Sequence, residues 1–268
     1  MRQPPALRTG IAGIGLLGPG LNNWTHGAAL LRTPSDWSQA TTVVPAPDRL
    51  PPTERRRASV AVKAAVSVAD QACAMAAADP MQVATVFTSA SGDPSICHAM
   101  CEALAKPERI MSPTRFTNSV HNAPAGYWHI AVQSRRASTS LAAWDASANA
   151  GLLEAAAQCA TTHAPVLLVA YDMPYPAPLH ALRPLPDVFA FALLLVPAGS
   201  AAPWQLQVAL AADGAAARCD GSGFEALRRA IPAARALPLL QALARNDSAS
   251  MRLEAGGLDL ALQLQVTR

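Results

Sequence analysis

The chain has 268 residues, of which 51% are hydrophobic and 15% are charged. This composition excludes an intrinsically disordered chain, and the length is sufficient for one large domain or two small ones with a substantial core. The net charge of +3 comes from scattered arginines, and their densest cluster, Arg55, Arg56 and Arg57, predicts a solvated helix start. A nucleic-acid surface would need a longer basic stripe with interleaved aromatic residues, so no nucleic-acid partner is expected.

Cysteine content and apolar runs predict a cytoplasmic protein. The five cysteines are odd in number and have no framework spacing, as expected in a reducing compartment. The longest uninterrupted apolar run, residues 188–196, is too short to span a bilayer. The N-terminus has no long apolar run free of Gly and Pro, so neither a signal peptide nor a membrane span is expected.

From the N-terminus, apolar runs that suit strands alternate with helix-like segments. Strands are predicted at 9–17, 83–89, 138–142, 164–172 and 188–196. Helices are predicted at 22–32, 53–78, 94–105, 123–134 and 147–162, with Thr53 as the N-cap of the long second helix. The alternation indicates an α/β fold whose central sheet is covered on both faces.

The last part of the chain follows a different pattern. Residues 204–211 and 257–266 alternate like strands of a half-exposed sheet, and two segments between them look helical. We therefore expect a main domain over residues 1–200 and an extension over residues 201–268 that packs on the same core.

The segment GIGLLG, residues 13–18, satisfies the glycine pattern of dinucleotide-binding folds. Pro19 and Gly20 follow at once and interrupt the helix that this motif requires. The acidic residue about twenty positions on, Asp36, does not end an apolar strand. A glycine-rich strand end is the better interpretation, and no nicotinamide cofactor is expected.

Cys97, His98 and Cys101 are a candidate zinc cluster, to which His121 could contribute. Cys97 and Cys101 are one helical turn apart and share a face. A structural zinc site needs four ligands, usually from two short pairs, and no second pair exists. The sequence therefore predicts buried helical cysteines and no metal.

Residues 140–155, SLAAWDASANAGLLEA, suggest a strand, a tight turn and a helix, an arrangement that often holds a nucleophile at a helix N-terminus. The turn holds Trp144 and Asp145, with neither Cys nor Ser at its tip. Asp145 suits a helix start, where such a residue contributes about 1 kcal/mol. To act as a nucleophile or base it would need partners that the sequence does not reveal. Ser119 and His121 form a pair too generic to indicate acyl transfer, and TSASGD (88–93) lacks a serine hydrolase elbow.

Taken in order, segments along the chain resemble the N-terminal half of β-ketoacyl synthases, members of the thiolase-like superfamily. These segments are TGIAGIGLLGPGLNNW, RRRASVAVKAAVSVADQA, VATVFTSASGD, FTNSVHNAPAGYWHIA, STSLAAWDASANAGLLEAAAQ, APVLLVAYDMP and PDVFAFALLLVP, which together cover residues 9–197. SVHNAPAGYW, DAS and GLLEA are most similar to a truncated, chain-length-factor-like subgroup that accompanies aryl-polyene-type polyketide synthases. The resemblance implies an α/β, thiolase-like layered fold with a shortened C-terminal extension.

The resemblance also implies that catalysis has been lost. The alignment places the family's nucleophilic Cys on Asp145, and a shift of one position would place it on Trp144 instead; neither residue is a thiol. The family's two catalytic histidines belong to its C-terminal half, and this chain has no histidine after His180. No catalytic residue, no cofactor and no enzyme activity are therefore expected, and the elbow is expected to be an inherited element of the fold.

On this resemblance the protein is expected to be a subunit that forms a heterodimer with a full-length, active β-ketoacyl synthase. It would shape that enzyme's acyl tunnel in polyketide, aryl polyene or fatty-acid-type biosynthesis, and meet an acyl carrier protein through the complex. The strand from Ser138 to Ala142 would pair with its counterpart, and the helix from Gly126 to Val132 would pack across the interface. The candidate interface or tunnel residues are Phe116, Tyr127, Trp128, Ser138, Ser140, Trp144 and Asp145. Ordinary core packing is the alternative for each aromatic residue among them.

Two other functions stay open. A free-standing acyl-carrier decarboxylase or thioesterase would use Asp145 or a Cys, with an activating base beside it. A homodimeric module would hold an acyl chain or a carrier protein without any ketosynthase. The C-terminal extension is expected to cover an otherwise exposed edge or face of the sheet.

Overall fold

The computed structural model describes residues 6–212, 214–254 and 260–268. Its strands are β1 (Leu7–Leu17), β2 (Ala84–Thr88), β3 (Ser138–Leu141), β4 (Val166–Asp172), β5 (Phe189–Pro197), β6 (Trp204–Ala212), β7 (Ala249–Glu254) and β8 (Leu260–Thr267). Its helices are α1 (Trp24–Arg32), α2 (Pro52–Arg57), α3 (Val60–Met75), α4 (Pro94–Ala105), α5 (Pro113–Asn118), α6 (Ala123–Val132), α7 (Ser147–Thr162), α8 (Leu179–Leu182), α9 (Ser222–Ala230) and α10 (Leu237–Arg245). Short 3₁₀ helices lie at Pro34–Asp36, Pro80–Gln82 and Pro232–Ala236.

All eight strands form one mixed sheet in the order β3-β2-β4-β5-β1-β6-β8-β7. Strand β2 pairs in parallel with both β3 and β4, and the remaining pairs are antiparallel. The sheet therefore has two edge strands, β3 and β7. Strand β3 leads directly into the elbow at Trp144 and Asp145, which lies at this edge of the sheet.

Helices cover both faces of the sheet, which confirms the predicted α/β class. Alternate residues of β4 enter different core clusters: Leu167 and Val169 pack with α3 and α6, while Leu168 and Ala170 pack with α1, α7 and α10. Every residue of β4 is buried. A strand buried on both faces has no polar alternation, which is why this segment reads as one continuous apolar run.

The glycines of GIGLLG allow β1 and α3 to approach closely. A Cβ added at Gly13 would lie 2.0 Å from the carbonyl oxygen of Ala72, and one at Gly15 would lie 2.0 Å from that of Val68. Only residues without a side chain fit against the helix backbone at these positions. The glycines of this strand therefore serve helix–strand packing.

The predicted helix over residues 53–78 is wrong in its continuity, because the structure divides it into α2 and α3. The N-cap of α2 is Pro51, not Thr53, and Ala58 leaves the helical conformation. Ser59 is extended and its hydroxyl accepts a hydrogen bond from the Val62 amide at 3.3 Å, so it caps α3. A serine side chain that binds a backbone amide starts a helix in this way and competes with continuing the previous one.

The C-terminal segment continues the same sheet. Strand β6 pairs with β1, placing Leu206 opposite Thr9, and β8 and β7 follow outward. Residues Leu206, Val208 and Leu264 belong to the same core cluster as Ile11. The predicted boundary at residue 200 falls in the turn between β5 and β6. The sequence analysis did not anticipate β7, and residues 257–259 of the predicted last strand lie outside the described residues.

Candidate functional site

The elbow between β3 and α7 is held by one serine. Trp144 has φ +51°, in the left-handed region that bulky residues rarely adopt and that costs roughly 1–3 kcal/mol. The Ser147 hydroxyl donates to the carbonyl of Trp144 at 2.6 Å and accepts from the amide of Ala143 at 2.9 Å. These two bonds close the turn on both sides and hold Trp144 in its unfavourable backbone conformation.

Asp145 does not cap α7, contrary to the prediction of a helix-start role. The N-cap residue is Ala146, and its side chain makes no capping hydrogen bond. The carboxylate instead accepts hydrogen bonds from two arginines, Arg183 at 2.5 Å and Arg235 at 3.0 Å, one at each oxygen. Two guanidinium groups therefore neutralise the charge of Asp145.

The arginine partners of Asp145 belong to a larger charge network that sequence reasoning missed. Arg235 also pairs with Glu254 of β7, and Arg228 donates to Glu225 at 2.8 Å. Arg183 and Arg235 follow Asp145 by 38 and 90 residues. No periodicity links positions so far apart, so no local signal indicated the pairing.

Trp144 projects from the elbow into solvent. Its side chain is 65% exposed, and the Arg183 guanidinium carbon lies 3.9 Å from its ring centroid. A cation at this distance from an indole face contributes about 0.5–1 kcal/mol at an exposed site. The ring is thus held in one orientation while most of its surface is open to a partner.

The open edge of β3 presents backbone groups to solvent. The amides of Thr85 and Ser89 donate to the carbonyls of Ala137 and Leu141, so alternate residues of this segment face β2. In a strand the N–H and C=O of one residue point to the same side. The backbone groups of Ser138 and Ser140 therefore face away from the sheet, where a further strand can pair with them.

A groove beside this edge is lined by polar side chains. It has a volume of about 470 Å³ and is formed by α6, the residues before it and β3; its lining residues are His121, Asn122, Ala125, Gly126, His129, Ser138 and Ser140. Thr85 hydrogen-bonds Ser138 at 2.9 Å and His129 at 3.0 Å, and these bonds tie the groove wall to the sheet.

Exposed apolar side chains occur on α5, on α6 and in the segment between them. Phe116 is 57% exposed, Val120 50% and Ile130 54%. Large apolar groups clustered in sequence around a helix and left open to water are typical of a surface that binds another protein.

Two of the predicted contact residues are corrected to core positions. Trp128 is fully buried and Tyr127 is 7% exposed, both in the cluster that joins α6 to α3. The Tyr127 hydroxyl donates to Asn118, and burial raises the pKa of this phenol. Side chains enclosed within their own subunit present no surface to a partner, so core packing applies to these two aromatics.

The cysteine prediction was wrong for α4. Cys97 and Cys101 are exposed, because α4 buries only Pro94 against the rest of the chain. Cys73, Cys159 and Cys219 are buried, and burial raises the pKa of their thiols. Across the described ranges, no group of three or more His, Cys, Asp or Glu side chains is arranged to hold a metal ion.

Asp172, at the end of β4, is a buried carboxylate that sequence reasoning also missed. It accepts hydrogen bonds from the Ser89 hydroxyl at 3.0 Å and from the amides of Ala90 and Ala233 at 2.8 Å each. Burial raises its pKa to about 7 even though these bonds oppose the shift. Ala233 belongs to the same 3₁₀ helix as Arg235. The hydrogen bond to Asp172 therefore holds the helix that carries this arginine at the end of β4.

In the described part of the chain, no helix is long and apolar enough to cross a membrane.

The family model of the β-ketoacyl synthase N-terminal domain matches residues 28–255. The chain therefore belongs to the β-ketoacyl synthase family. The fold is thiolase-like, as the sequence resemblance predicted. No curated protein matches this chain significantly.

Solved structures share the fold over nearly the whole chain. A chain from the complex of the ketosynthase ApeO with its chain length factor ApeC, from Xenorhabdus doucetiae, is 22% identical; the match covers 98% of this chain and 100% of that one, with a TM-score of 0.74. A β-ketoacyl synthase from Burkholderia phymatum STM815 is 13% identical, with 97% and 99% covered and a TM-score of 0.69. The ishigamide ketosynthase/chain length factor is 14% identical, with 96% and 98% covered and a TM-score of 0.69.

Proposed function

We propose that this protein is a non-catalytic, chain-length-factor-like subunit that pairs with an active β-ketoacyl synthase and shapes its acyl tunnel. The pathway class is polyketide biosynthesis, and the sequence resemblance favours the aryl polyene kind. The observation that carries the proposal is that a salt-bridged carboxylate, Asp145, occupies the elbow of a β-ketoacyl synthase fold.

The chemistry of the elbow supports a non-catalytic role. A condensing enzyme of this family needs a nucleophilic thiol, and Asp145 cannot supply one. Both carboxylate oxygens are engaged by arginines, which lowers their availability as a nucleophile or base. None of the described histidines hydrogen-bonds to Asp145. These observations disfavour a free-standing decarboxylase or thioesterase.

The sheet edge supports pairing with a second subunit. The outward backbone groups of Ser138 and Ser140 offer strand addition. Trp144, which follows β3 closely in the chain, is exposed, as are Phe116 and Ile130. Two copies of related folds joined edge to edge would continue one sheet through a pseudo-two-fold axis. In such a dimer, Trp144 would face the partner, where its ring could limit the space for a growing acyl chain.

The solved relatives support a ketosynthase as the partner class. The similar structures include a ketosynthase in complex with its chain length factor and a ketosynthase/chain length factor. A further one is a type II polyketide synthase ketosynthase in complex with its acyl carrier protein. We infer that this chain meets a carrier protein only through its ketosynthase partner.

Native mass spectrometry tests the proposal directly. The protein is purified alone and also co-expressed with the ketosynthase encoded beside it. A one-to-one complex is the expected result. A well-behaved homodimer that ignores the ketosynthase would overturn the proposal and favour a homodimeric acyl-binding module, while condensation activity of the protein alone would favour an enzyme.

A further inference from the structure

We infer that a pocket next to the elbow binds a small oxyanion of the phosphate type. The pocket, of about 310 Å³, lies between the elbow, the loop before β5, α9 and the 3₁₀ helix Pro232–Ala236. Its lining residues are Asp145, Arg183, Pro184, Leu185, Arg229, Ala230, Pro232 and Arg235. This inference goes beyond the proposed pairing function and does not depend on it.

The charge of the pocket lining is unbalanced. Three guanidinium groups, from Arg183, Arg229 and Arg235, face one carboxylate, from Asp145. Glu254 pairs with Arg235 but is not part of the pocket lining. Burial lowers the pKa of Arg235, and the neighbouring Arg228 and Arg183 lower it further, while Asp145 opposes them. With Glu254 counted, three guanidinium groups meet two carboxylates, so one positive charge is left unbalanced and a bound anion would offset it.

The arginines of the pocket also carry N–H donors that make no hydrogen bond. The Nε atoms of Arg183 and Arg235 are buried and make no hydrogen bond, although each residue's terminal nitrogens bind Asp145. Within the described ranges, Arg229 has neither a hydrogen-bond nor an ion-pair partner, and its side chain is exposed. Because these Nε atoms have no accessible surface, a ligand in the pocket would be held by the Arg229 guanidinium and the terminal nitrogens of the other two arginines.

The donor set selects the class of ligand. Guanidinium groups present planar pairs of N–H donors that match the oxygens of phosphate and carboxylate. A phosphate monoester carries close to two negative charges at neutral pH and has three acceptor oxygens, which suits three arginines better than a single carboxylate does. The phosphate could be free or the terminal group of a larger molecule.

Isothermal titration calorimetry with inorganic phosphate, on the full chain in phosphate-free buffer, tests this inference. We expect saturable one-to-one binding and a weaker response to acetate, a monoanion. Arg229→Ala should weaken phosphate binding about tenfold, because one charge-assisted interaction is lost. Arg56→Ala is the matched control, since Arg56 is also exposed and without an ion pair in the described chain but lies on α2; it should leave the affinity unchanged.

Asp145→Asn should change the affinity for phosphate in the direction opposite to Arg229→Ala. Removing the carboxylate removes repulsion of the ligand and frees donors of two arginines, so phosphate affinity should rise. Competition by glycerol phosphate would show that the site accepts a terminal phosphate ester, whereas its failure would assign free phosphate. The inference is overturned if phosphate shows no saturable binding or if acetate binds as tightly as phosphate. It is also overturned if Arg229→Ala and Arg56→Ala have the same phosphate affinity, or if Asp145→Asn binds phosphate no more tightly than the wild-type protein. None of these outcomes depends on whether a ketosynthase pairs with the protein.

Discussion

The Arg183 guanidinium carbon lies 3.9 Å from the centroid of the Trp144 ring, and the same guanidinium donates to Asp145. One side chain thus fixes both residues of the elbow. Asp145 is drawn toward the protein and its charge is neutralised, whereas Trp144 is held outward. The elbow therefore supports an exposed aromatic ring.

Trp144→Ala tests whether this ring anchors the partner. We expect the affinity for the ketosynthase to fall by at least about tenfold, because buried Trp residues at interfaces carry a large share of binding energy. The thermal unfolding midpoint should change little, since the ring is mostly exposed in the free protein. Surface plasmon resonance on the purified pair measures the affinity. Leu210→Ala, a 39% exposed apolar residue on β6, is the control and should not weaken binding.

Ser140→Pro tests strand addition at the β3 edge. Proline removes an N–H that faces away from the sheet and leaves the ladder to β2 intact, so the subunit should fold while the complex is lost. Ser140→Ala keeps the backbone donor and should still pair. Size-exclusion chromatography of co-expressed proteins distinguishes the two variants. A complex that forms equally well with both would contradict pairing through this edge.

Asp145→Cys restores a thiol to the elbow. The helix N-terminus and the two arginines should lower the pKa of this thiol and increase its rate of alkylation by iodoacetamide. The protein alone should nevertheless neither condense nor decarboxylate a malonyl carrier, because no histidine in the described chain hydrogen-bonds to this position. Mass spectrometry of the carrier follows both reactions. Turnover by this variant would show that the elbow retains its catalytic partners.

Asp172 should make stability depend on pH. Its pKa is raised to about 7 by burial, above the value of about 3.9 in an unfolded chain. Between these values the folded state binds a proton that the unfolded state does not. The contribution of Asp172 to the free energy of unfolding is therefore greatest below about pH 4 and is lost as the pH rises through about 7.

Urea unfolding at a series of pH values checks this dependence. Relative to Asp172→Asn, which cannot titrate, the wild-type protein should lose free energy of unfolding across that window. Asp36→Asn alters an exposed carboxylate and should keep the wild-type dependence. Parallel curves for wild type and Asp172→Asn would contradict the raised pKa.

The cysteines should divide into two classes by reactivity. Cys97 and Cys101 are exposed on α4, whereas Cys73, Cys159 and Cys219 are buried and closed to a reagent in solution. A thiol reagent such as DTNB should therefore modify two residues quickly in the folded protein and the other three only after unfolding. The double variant Cys97→Ser, Cys101→Ser should lose the fast phase. A fast phase that persists would place another thiol at the surface.

The sequence by itself determined the order of most strands and helices and the family. These elements follow from patterns among residues that are close in sequence. Examples are the apolar runs of β4 and β5 and the Asn23 cap before α1. The same holds for the elbow, where a strand, a turn and a helix follow one another without interruption. The sequence did not show where the long helix is interrupted. The Ser59 cap starts a new helix within a segment that composition alone predicted to be one continuous helix.

Only the tertiary structure decided what the elbow residues contact. Arg183 and Arg235 reach Asp145 because a loop and a 3₁₀ helix far along the chain fold against one edge of the sheet. It also decided that Trp128 is buried while Trp144 is exposed, although both are tryptophans in segments expected at an interface. Burial and ion pairing depend on which elements pack together, and that packing is set by the whole core rather than by any stretch of neighbouring residues.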